Sequence, residues 1–418
     1  MLRSQGNRIF VEQSFEQDAL LRMLAALHSL TEKKLYEEIH LDFSACDAAF
    51  AGPMLAVCSQ ALWLHQKGIL THLTLPNAPK IARLFHNTNW AHLMNPEHFA
   101  ASDYRGHDHV AAIRFTKARD QQEAVTRLVD TILETTTDLE RGDLAAVEWA
   151  LNEITDNVLT HAESSIGGIV QLSRLGRKKL LEIAVVDHGL SIPQTLRSGP
   201  QKHLEDQDAL LSSVQEGVTR DATLGQGNGL FGTYELARFS GGFLNLYSGH
   251  ASLRLDHSIV SAQPEAVPFP GTLLVAGLCY SDSTTLAKAL RFQGRPHEPS
   301  DSLELRYELN DENIIYLRVV DEVDSFRSRP AAEPLRTRVE NLRRMVSHNR
   351  IVLDFEGISL ISSSFADELI GKLFVRLGPT DFMDAIVIQG ASPVNRNLID
   401  RAILQRSAAL FPANHKPS

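Results

Sequence analysis

The sequence predicts an α/β protein in which a central two-layer α/β sandwich lies between two copies of a smaller α/β unit. Two observations predict this fold class. A strand–loop–helix pattern occurs near each end of the 418-residue chain, and regularly spaced helical segments followed by alternating strands fill the region between them. A chain of this length is long for a single core, so several compact units are expected. The predicted units are residues 1–105, 106–280 and 281–418.

The repeated unit centres on residues 40–46 and 352–358, each of which reads as a strand followed by a short loop. Residues 52–67 and 365–374, which follow, are apolar at helical spacing. Each copy also has a preceding helix and a following strand, predicted at residues 18–30 and 72–75 in the first copy and at 333–348 and 385–388 in the second. We therefore expect one α/β unit to occur twice.

Between the copies, helical periodicity predicts two helices, residues 121–139 and 143–161, the second with Asp143 as its N-cap. The strands predicted after them are residues 168–175, 179–187, 244–247, 252–255 and 272–276. This order implies helices on one side of a mostly antiparallel or mixed sheet. The polar residues 293–301 predict an exposed connection inside the third unit.

The composition excludes several classes of function. The 41 basic and 51 acidic side chains give a net charge of −10, so direct binding to nucleic acid is not expected. The scattered cysteines Cys46, Cys58 and Cys279 fit neither a disulfide framework nor a zinc site, and they suit a reducing compartment. No apolar run is long enough to span a membrane, and the N-terminus lacks a signal-peptide core. We therefore expect a cytoplasmic protein without a membrane partner.

The predicted helix 143–161 carries polar groups at a spacing that suits a nucleotide site. Glu153, Asn157 and His161 are four residues apart and share one flank of the helix. Asn157 offers a neutral oxygen to Mg²⁺, and Glu153 can orient a water or hydroxyl for attack. The predicted buried stripe is Val147, Leu151, Ile154 and Val158, with Asn152 and Asp156 in solvent. An ordinary half-exposed helix edge is the alternative.

Two downstream segments add complementary groups. Asp187 ends an apolar run, where a buried carboxylate could accept an exocyclic amine while Gly189 lets the backbone approach a flat base. A plain turn is the alternative. Further on, Gly225, Gly227 and Gly229 expose backbone amides and lead into a predicted helix, residues 230–239, whose N-terminus favours phosphate. A flexible surface loop is the alternative there.

In this order, the three segments resemble the N, G1 and G2 boxes of the GHKL superfamily, the Bergerat-fold ATP-binding proteins, and are most similar to the anti-sigma-factor serine kinases. The resemblance covers about residues 109–278. It implies ATP and Mg²⁺ as cofactors and a homodimer. The roles it implies are Asn157 as Mg²⁺ ligand, Glu153 as general base, Asp187 as adenine reader, and Gly225, Gly227 and Gly229 as phosphate cradle.

Three further residues are interpreted through this resemblance. Thr272 follows Gly271 and matches the late Gly-Thr of the adenine pocket. His161 belongs to the first box, either as a phosphate contact or as a structural histidine that closes the helix. Ser191 stands where the family has its second G1 glycine, and a side chain there is expected to narrow the pocket or to change the lid.

The flanking repeats resemble STAS and STAS-like domains, the fold of the anti-anti-sigma factors that partner such kinases. In that family the loop after the matching strand carries a phosphorylated serine, and counting from Asp354 places Ser363 at this position. The same count from Asp42 reaches residues 50–52, which have no hydroxyl. The alternative for the serines is a helix N-cap, with Ser364 as the capping residue.

Three hypotheses follow from these observations. The first is an ATP-binding regulatory protein, a Mg²⁺-dependent serine kinase or ATPase controlled by its STAS-like domains, with a STAS or sigma-factor-like regulator as protein partner. The second is a non-catalytic switch in which ATP orders a lid between Ile192 and Gly225 and thereby changes a protein-binding surface. The third is a scaffold without nucleotide binding, suggested by Ser191 and by the lack of an evident basic contact for the γ-phosphate.

Overall fold

The computed structural model describes residues 2–106, 108–220, 227–256, 258–280, 285–299, 302–303, 306 and 313–410. The protein has a mixed α/β structure, as predicted. It divides into two compact units: unit 1 comprises Met1–Leu128 and Gly142–Pro299, and unit 2 comprises Val129–Arg141 and Ser300–Ser418. The N-terminal segment and most of the central region therefore share one compact unit.

The N-terminal segment of unit 1 forms a four-stranded sheet in the order β1-β2-β4-β6, in which β1 is antiparallel to β2 and the remaining neighbours are parallel. A separate short pair joins β3 and β5. The elements are β1 (Leu2–Gln5), β2 (Arg8–Val11), β3 (Gln13–Phe15), α1 (Gln17–His28), β4 (Glu38–Asp42), β5 (Cys46–Ala49), α2 (Ala51–Gln66), β6 (Leu70–Thr74), α3 (Pro79–Asn87) and α4 (Trp90–Met94).

The central region contains a five-stranded antiparallel sheet in the order β10-β11-β9-β8-β7. Its elements are β7 (Ile113–Phe115), α5 (Ala118–Thr135), α6 (Arg141–His161), β8 (Gly168–Leu175), β9 (Leu180–Asp187), α7 (Ile192–Arg197), α8 (Asp206–Ser213), α9 (Gly229–Phe239), β10 (Phe243–Asp256), β11 (Ile259–Cys279), α10 (Thr285–Ala289), β12 (Arg291–Phe292) and β13 (Arg295–Pro296). The two strands predicted at 244–247 and 252–255 are wrong as separate elements. They form the single strand β10, because β-bulges around Gly249 shift the register where the alternation of apolar and polar residues is interrupted.

The two faces of this sheet pack against different partners, because side chains alternate along each strand. On one face, Ile169, Ala184, Val186, Leu273 and Val275 belong to the same buried cluster as the apolar residues of α1 and α2. Residues of the opposite face, including Val185, Leu246 and Leu274, line a cavity. Helices therefore contact both faces, and the predicted arrangement with helices on one side only is incomplete.

Helix α2 explains how the N-terminal segment joins this sheet. Its residues are buried on every side from Ala51 to Ala61, as expected for a helix enclosed in a core rather than lying at a surface. Gly52 permits close contact, since a Cβ built on it would lie 2.7 Å from Cγ2 of Val275. Neither α2 nor any other helix in the described part of the chain is long and apolar enough to cross a membrane.

Unit 2 contains the three-stranded parallel sheet β14-β15-β16. A π-helical turn, Asp367–Gly371, joins α13 and α14 into one helical run, as the apolar spacing of residues 365–374 predicts. The elements are β14 (Ile314–Arg318), α11 (Val319–Glu322), α12 (Arg329–Met345), β15 (Arg350–Asp354), α13 (Ser363–Ala366), α14 (Lys372–Leu377), α15 (Pro379–Ala385), β16 (Ile386–Gln389) and α16 (Pro393–Leu410).

The predicted repeat is confirmed down to individual hydrogen bonds. The central strand of each copy ends in an aspartate, Asp42 or Asp354, whose Oδ1 accepts the N–H of the residue two positions later at 3.0 Å. The residue directly after the aspartate, Phe43 or Phe355, donates its backbone N–H to the neighbouring strand at 3.0 Å. In both copies the central strand has a parallel neighbour on each side. The same local sequence pattern therefore makes the same strand end and turn.

Candidate functional site

A cavity of about 520 Å³ in unit 1 is lined by residues of α6, β9, α9, β10 and β11. Two of the predicted site residues do not contribute to it among the residues that the structure describes: Gly189 is not a lining residue, and Ser363 belongs to unit 2. Gly225 lies outside the described residues. The predicted residues that the structure brings together around the cavity are Glu153, Asn157, His161, Asp187, Gly227, Gly229 and Thr272.

Helix α6 supplies one wall of the cavity. It begins at Arg141, so Asp143 lies in the first turn and is not the N-cap; its Oδ1 instead accepts the N–H of Ala287 at 3.4 Å. The predicted stripe of Val147, Leu151, Ile154 and Val158 is buried, and Asn152 and Asp156 are exposed, as predicted. With the stripe fixed in the core, the helix turns Glu153, Asn157 and His161 toward the cavity.

The carboxylate of Glu153 lies against the first residue of α9. A Cβ built on Gly229 would be 2.5 Å from Oε2 of Glu153, so a larger residue there would require the Glu153 side chain to move. Asn228, the residue before α9, does not cap the helix through its side chain. Burial, and after it the charge of Asp156, raises the pKa of Glu153 above its ordinary value. The acid and the helix N-terminus thus converge at one end of the cavity.

At another part of the cavity, Asp187 is a buried carboxyl group. Its Oδ1 accepts the N–H of Gly189 at 3.0 Å. Burial raises its pKa to about 8, although backbone N–H groups of Gly189 and Thr272 act in the opposite direction. The hydroxyl of Thr272 lies 3.1 Å from that of Ser248, which donates to the carbonyl of Gly271 at 2.7 Å. A buried acid and the Thr272 hydroxyl, which both line the cavity, can bind a flat ring that carries both donors and acceptors.

The structure explains the glycine at position 189 by a close backbone contact and not by the predicted approach to a base. A Cβ built on it would lie 2.0 Å from the carbonyl oxygen of Ala162, immediately after α6. The next residue, Leu190, donates its N–H to the same carbonyl at 2.6 Å. Gly189 therefore lets the end of β9 close against the end of α6, which positions Asp187 indirectly.

Ser191 begins α7 and does not line the cavity. Its N–H donates to Oε1 of Gln194 at 2.9 Å, and its Oγ accepts the N–H of Gln194 at 3.4 Å, which is a capping box. The expected narrowing of the pocket by Ser191 is not observed, because the side chain is occupied in starting a helix. The Ser191 side chain therefore stabilises the start of α7.

A cationic residue that the sequence analysis missed, Arg220, also lines the cavity. Its guanidinium donates to the carbonyl of Thr160 at 3.3 Å and lies near the end of α6. Burial and, next, the Arg220 charge lower the pKa of His161. Nδ1 of His161 is buried and has no hydrogen-bond partner among the residues that the structure describes. In the sequence, the only signal that could have identified Arg220 as a cavity residue is its position shortly before the glycine-rich segment.

An aromatic cluster that the sequence analysis missed also lines the cavity. Trp149, Phe292 and His297 are all lining residues, with ring centroids of Phe292 and His297 5.1 Å apart and those of Trp149 and Phe292 5.8 Å apart. Residues 285–299, which the sequence analysis assigned to the third unit, lie in unit 1. The spacing of Trp149, one turn before Glu153, was the one signal available.

In unit 2, Ser363 is the first residue of α13 and is exposed. The capping residue is Ser362, whose Oγ accepts the N–H of Phe365 at 3.0 Å, and the predicted cap, Ser364, is wrong. The capping function and the candidate acceptor position are therefore carried by two different serines. An exposed hydroxyl at a helix N-terminus suits modification by phosphate, because the helix dipole stabilises added negative charge there.

Comparison with known proteins identifies the domain type of unit 2. A family model described as a STAS-like domain of unknown function (DUF4325) matches residues 331–396. No curated protein matches the chain. No match to a GHKL ATPase family accompanies the STAS-like match, so that resemblance rests on the motifs and on the cavity. The matched residues include β15, Ser363 and β16. The C-terminal part of the protein therefore contains a STAS-like domain, which suggests a regulatory role.

Proposed function

We propose that the protein is an ATP-binding regulator, a Mg²⁺-dependent serine kinase or ATPase of the anti-sigma-factor type that is controlled by fused STAS-like domains. One observation carries the proposal: residues from three separate sequence segments, Glu153 and Asn157, Asp187, and Gly227 and Gly229, line one cavity of nucleotide size. The central region is then a Bergerat-type sandwich, and the N-terminal repeat is a second STAS-like domain.

The cavity offers groups that fit the parts of ATP. Asp187 and Thr272 would accept and orient the adenine, and the uncapped start of α9 with Arg220 and His161 would face the phosphates. The buried Nδ1 of His161 has no partner within the described part of the chain, as expected of a group that binds a ligand. Asn157 would supply an oxygen to Mg²⁺, which neutralises phosphate charge when bound.

Glu153 is the group that would accept a proton during phosphoryl transfer. It lies beside the N-terminus of α9, where the terminal phosphate is expected, and its raised pKa moves it toward the range useful to a general base. The proton would come from an attacking water or from a serine hydroxyl. In the second case Ser363, exposed in the STAS-like domain, is the proposed acceptor within this protein.

Incubation of the full-length protein with labelled ATP and Mg²⁺ tests the enzymatic proposal. We expect phosphate release or a labelled protein, with loss of both in Glu153→Gln while ATP binding remains. Asn152→Ala, an exposed neighbour on the same helix, serves as the control and should behave as wild type. A labelled product that disappears in Ser363→Ala and persists in Ser359→Ala assigns the acceptor. Equal activity in wild type and Glu153→Gln would contradict the role of Glu153.

A non-catalytic ATP-gated switch is the second candidate. Trp149, Phe292 and His297 form an aromatic cluster in the cavity lining, which would restrict the approach of a protein substrate. Thermal unfolding with ATP, ADP and a non-hydrolysable analogue distinguishes this candidate. A switch without catalysis predicts stronger stabilisation by ATP and its analogue than by ADP, and no phosphate release.

A further inference from the structure

Three side chains of metal-ligand type meet on the sheet of the N-terminal segment, and none of them lines the cavity. Glu38 and His40 belong to β4, and His72 belongs to β6. In the parallel pairing of these strands, His40 lies directly opposite His72. Glu38 is two residues before His40 and therefore projects from the same face.

The ligand atoms of the cluster lie close to one another. One ligand atom from each of the three residues lies within 4.8 Å of the other two. Nε2 of His72 is 3.5 Å from Oε2 of Glu38, and the two imidazole centroids are 4.6 Å apart. Ligands held at about 2.1 Å from a tetrahedral ion lie about 3.4 Å apart, so small rotamer changes suffice.

The second copy of the repeat shows that the fold does not require these residues. By strand register, Val352 and Val387 occupy the positions of His40 and His72, and Arg350 occupies that of Glu38. The corresponding face of the STAS-like sheet is thus mainly apolar. The three ligand-type residues occur together only in the first copy, which is the pattern expected if they act jointly.

We propose that Glu38, His40 and His72 form a binding site for a borderline divalent transition-metal ion, with Zn²⁺ as the representative. Two imidazoles and one carboxylate form a donor set suited to Zn²⁺, and the partial exposure of the cluster leaves room for water as a further ligand. Nη2 of Arg8 lies 3.5 Å from Nδ1 of His40, but Nη1 of Arg8 is ion-paired with Asp42 at 3.2 Å. This pairing offsets part of the repulsion that the guanidinium exerts on a cation.

Titration of tag-free, chelator-treated full-length protein tests the site. Zn²⁺ binding is measured by calorimetry, and Co²⁺ binding by the visible absorbance that distinguishes four-coordinate Co²⁺. We expect one ion per chain. His72→Val and His40→Val introduce the residues of the second copy and should each weaken binding at least about tenfold. His28→Ala removes an exposed histidine outside the cluster and should leave binding unchanged.

Two further variants refine the assignment. Glu38→Gln should weaken binding, whereas Arg8→Gln should strengthen it by removing a neighbouring cation. Circular dichroism at each step verifies that the variants are folded. Wild-type protein that binds no Zn²⁺ or Co²⁺, or a folded His72→Val variant that binds as wild type does, would overturn the proposal. Neither outcome depends on nucleotide binding.

Discussion

The indole of Trp63 stacks on the imidazole of His188, with ring centroids 4.5 Å apart and planes inclined by 17°. Trp63 belongs to α2, and His188 directly follows the cavity residue Asp187. Burial lowers the pKa of His188 to about 4, so the ring is neutral at physiological pH. Gln66, also in α2, exchanges two hydrogen bonds with Ser165, at 3.1 and 2.7 Å. The N-terminal segment therefore supports the strand end that carries Asp187.

Replacing Trp63 should affect the cavity although Trp63 does not line it. Trp63→Ala removes the stack, and we expect a loss of about 1–2 kcal/mol in unfolding free energy. We also expect several-fold weaker ATP binding, because the segment around Asp187 loses its support. Trp63→Phe retains an aromatic ring and is the control. Calorimetry and urea unfolding measure both effects, and unchanged ATP affinity in Trp63→Ala would show that the stack is only structural.

Asp187 should make stability depend on pH. Its pKa rises from 3.8 in the unfolded chain to about 8 in the folded protein. Between these values the folded state holds a proton that the unfolded state has released, so this contribution to stability falls as pH rises from about 4 to about 8.

Asp187→Asn keeps an oxygen acceptor but cannot ionise. We expect the difference in unfolding free energy, variant minus wild type, to increase by on the order of 1–3 kcal/mol from pH 5 to pH 8.5. The measurement is made without nucleotide. The Asp47→Asn variant, at an exposed position that does not line the cavity, is the control. Urea unfolding at the two pH values is the measurement, and a variant–wild-type difference that does not change with pH would contradict the prediction.

Gly189→Ala should destabilise unit 1 strongly. The added Cβ would lie 2.0 Å from the carbonyl oxygen of Ala162, and backbone cannot move aside as a side chain does. We expect a loss of at least about 2 kcal/mol in unfolding free energy. Gly176→Ala is the matched control, since its Cβ would only touch the Arg174 side chain at 3.4 Å. Similar melting temperatures for the two variants would refute this account.

We expect Ser362 to contribute to the stability of unit 2 and Ser363 to be the site of modification. Ser362→Ala loses the cap of α13, which lowers the unfolding free energy of unit 2 by about 1 kcal/mol. Ser363→Ala should change stability by less than about 0.5 kcal/mol but should abolish phosphorylation at this position. Urea unfolding and phosphopeptide mass spectrometry after incubation with ATP measure the two effects. A phosphate found on Ser362 would reverse the assignment.

Local patterns were sufficient for most elements. The apolar spacing in α6 predicted which flank faces the cavity, because i, i+4 geometry depends on the helical backbone and not on distant residues. Asp42 and Asp354 predicted the repeat for the same reason, since each sets the turn that follows its own strand. The cap of α6 was mispredicted because the tertiary contact of Asp143 with Ala287 outweighs a local preference.

Long-range packing decided the rest. Arg220, Phe292 and His297 reach the cavity from segments without a recognisable motif, and only the folded chain brings them beside Glu153. The apolar spacing of residues 52–67 predicted helix α2, but no pattern along the chain identified the central sheet as its packing partner. The spacing of residues along the chain specifies which side chains share one face of a helix or strand, because that depends only on local backbone geometry. The surface that covers that face depends on the shape of elements distant in sequence, and only the tertiary structure decides it.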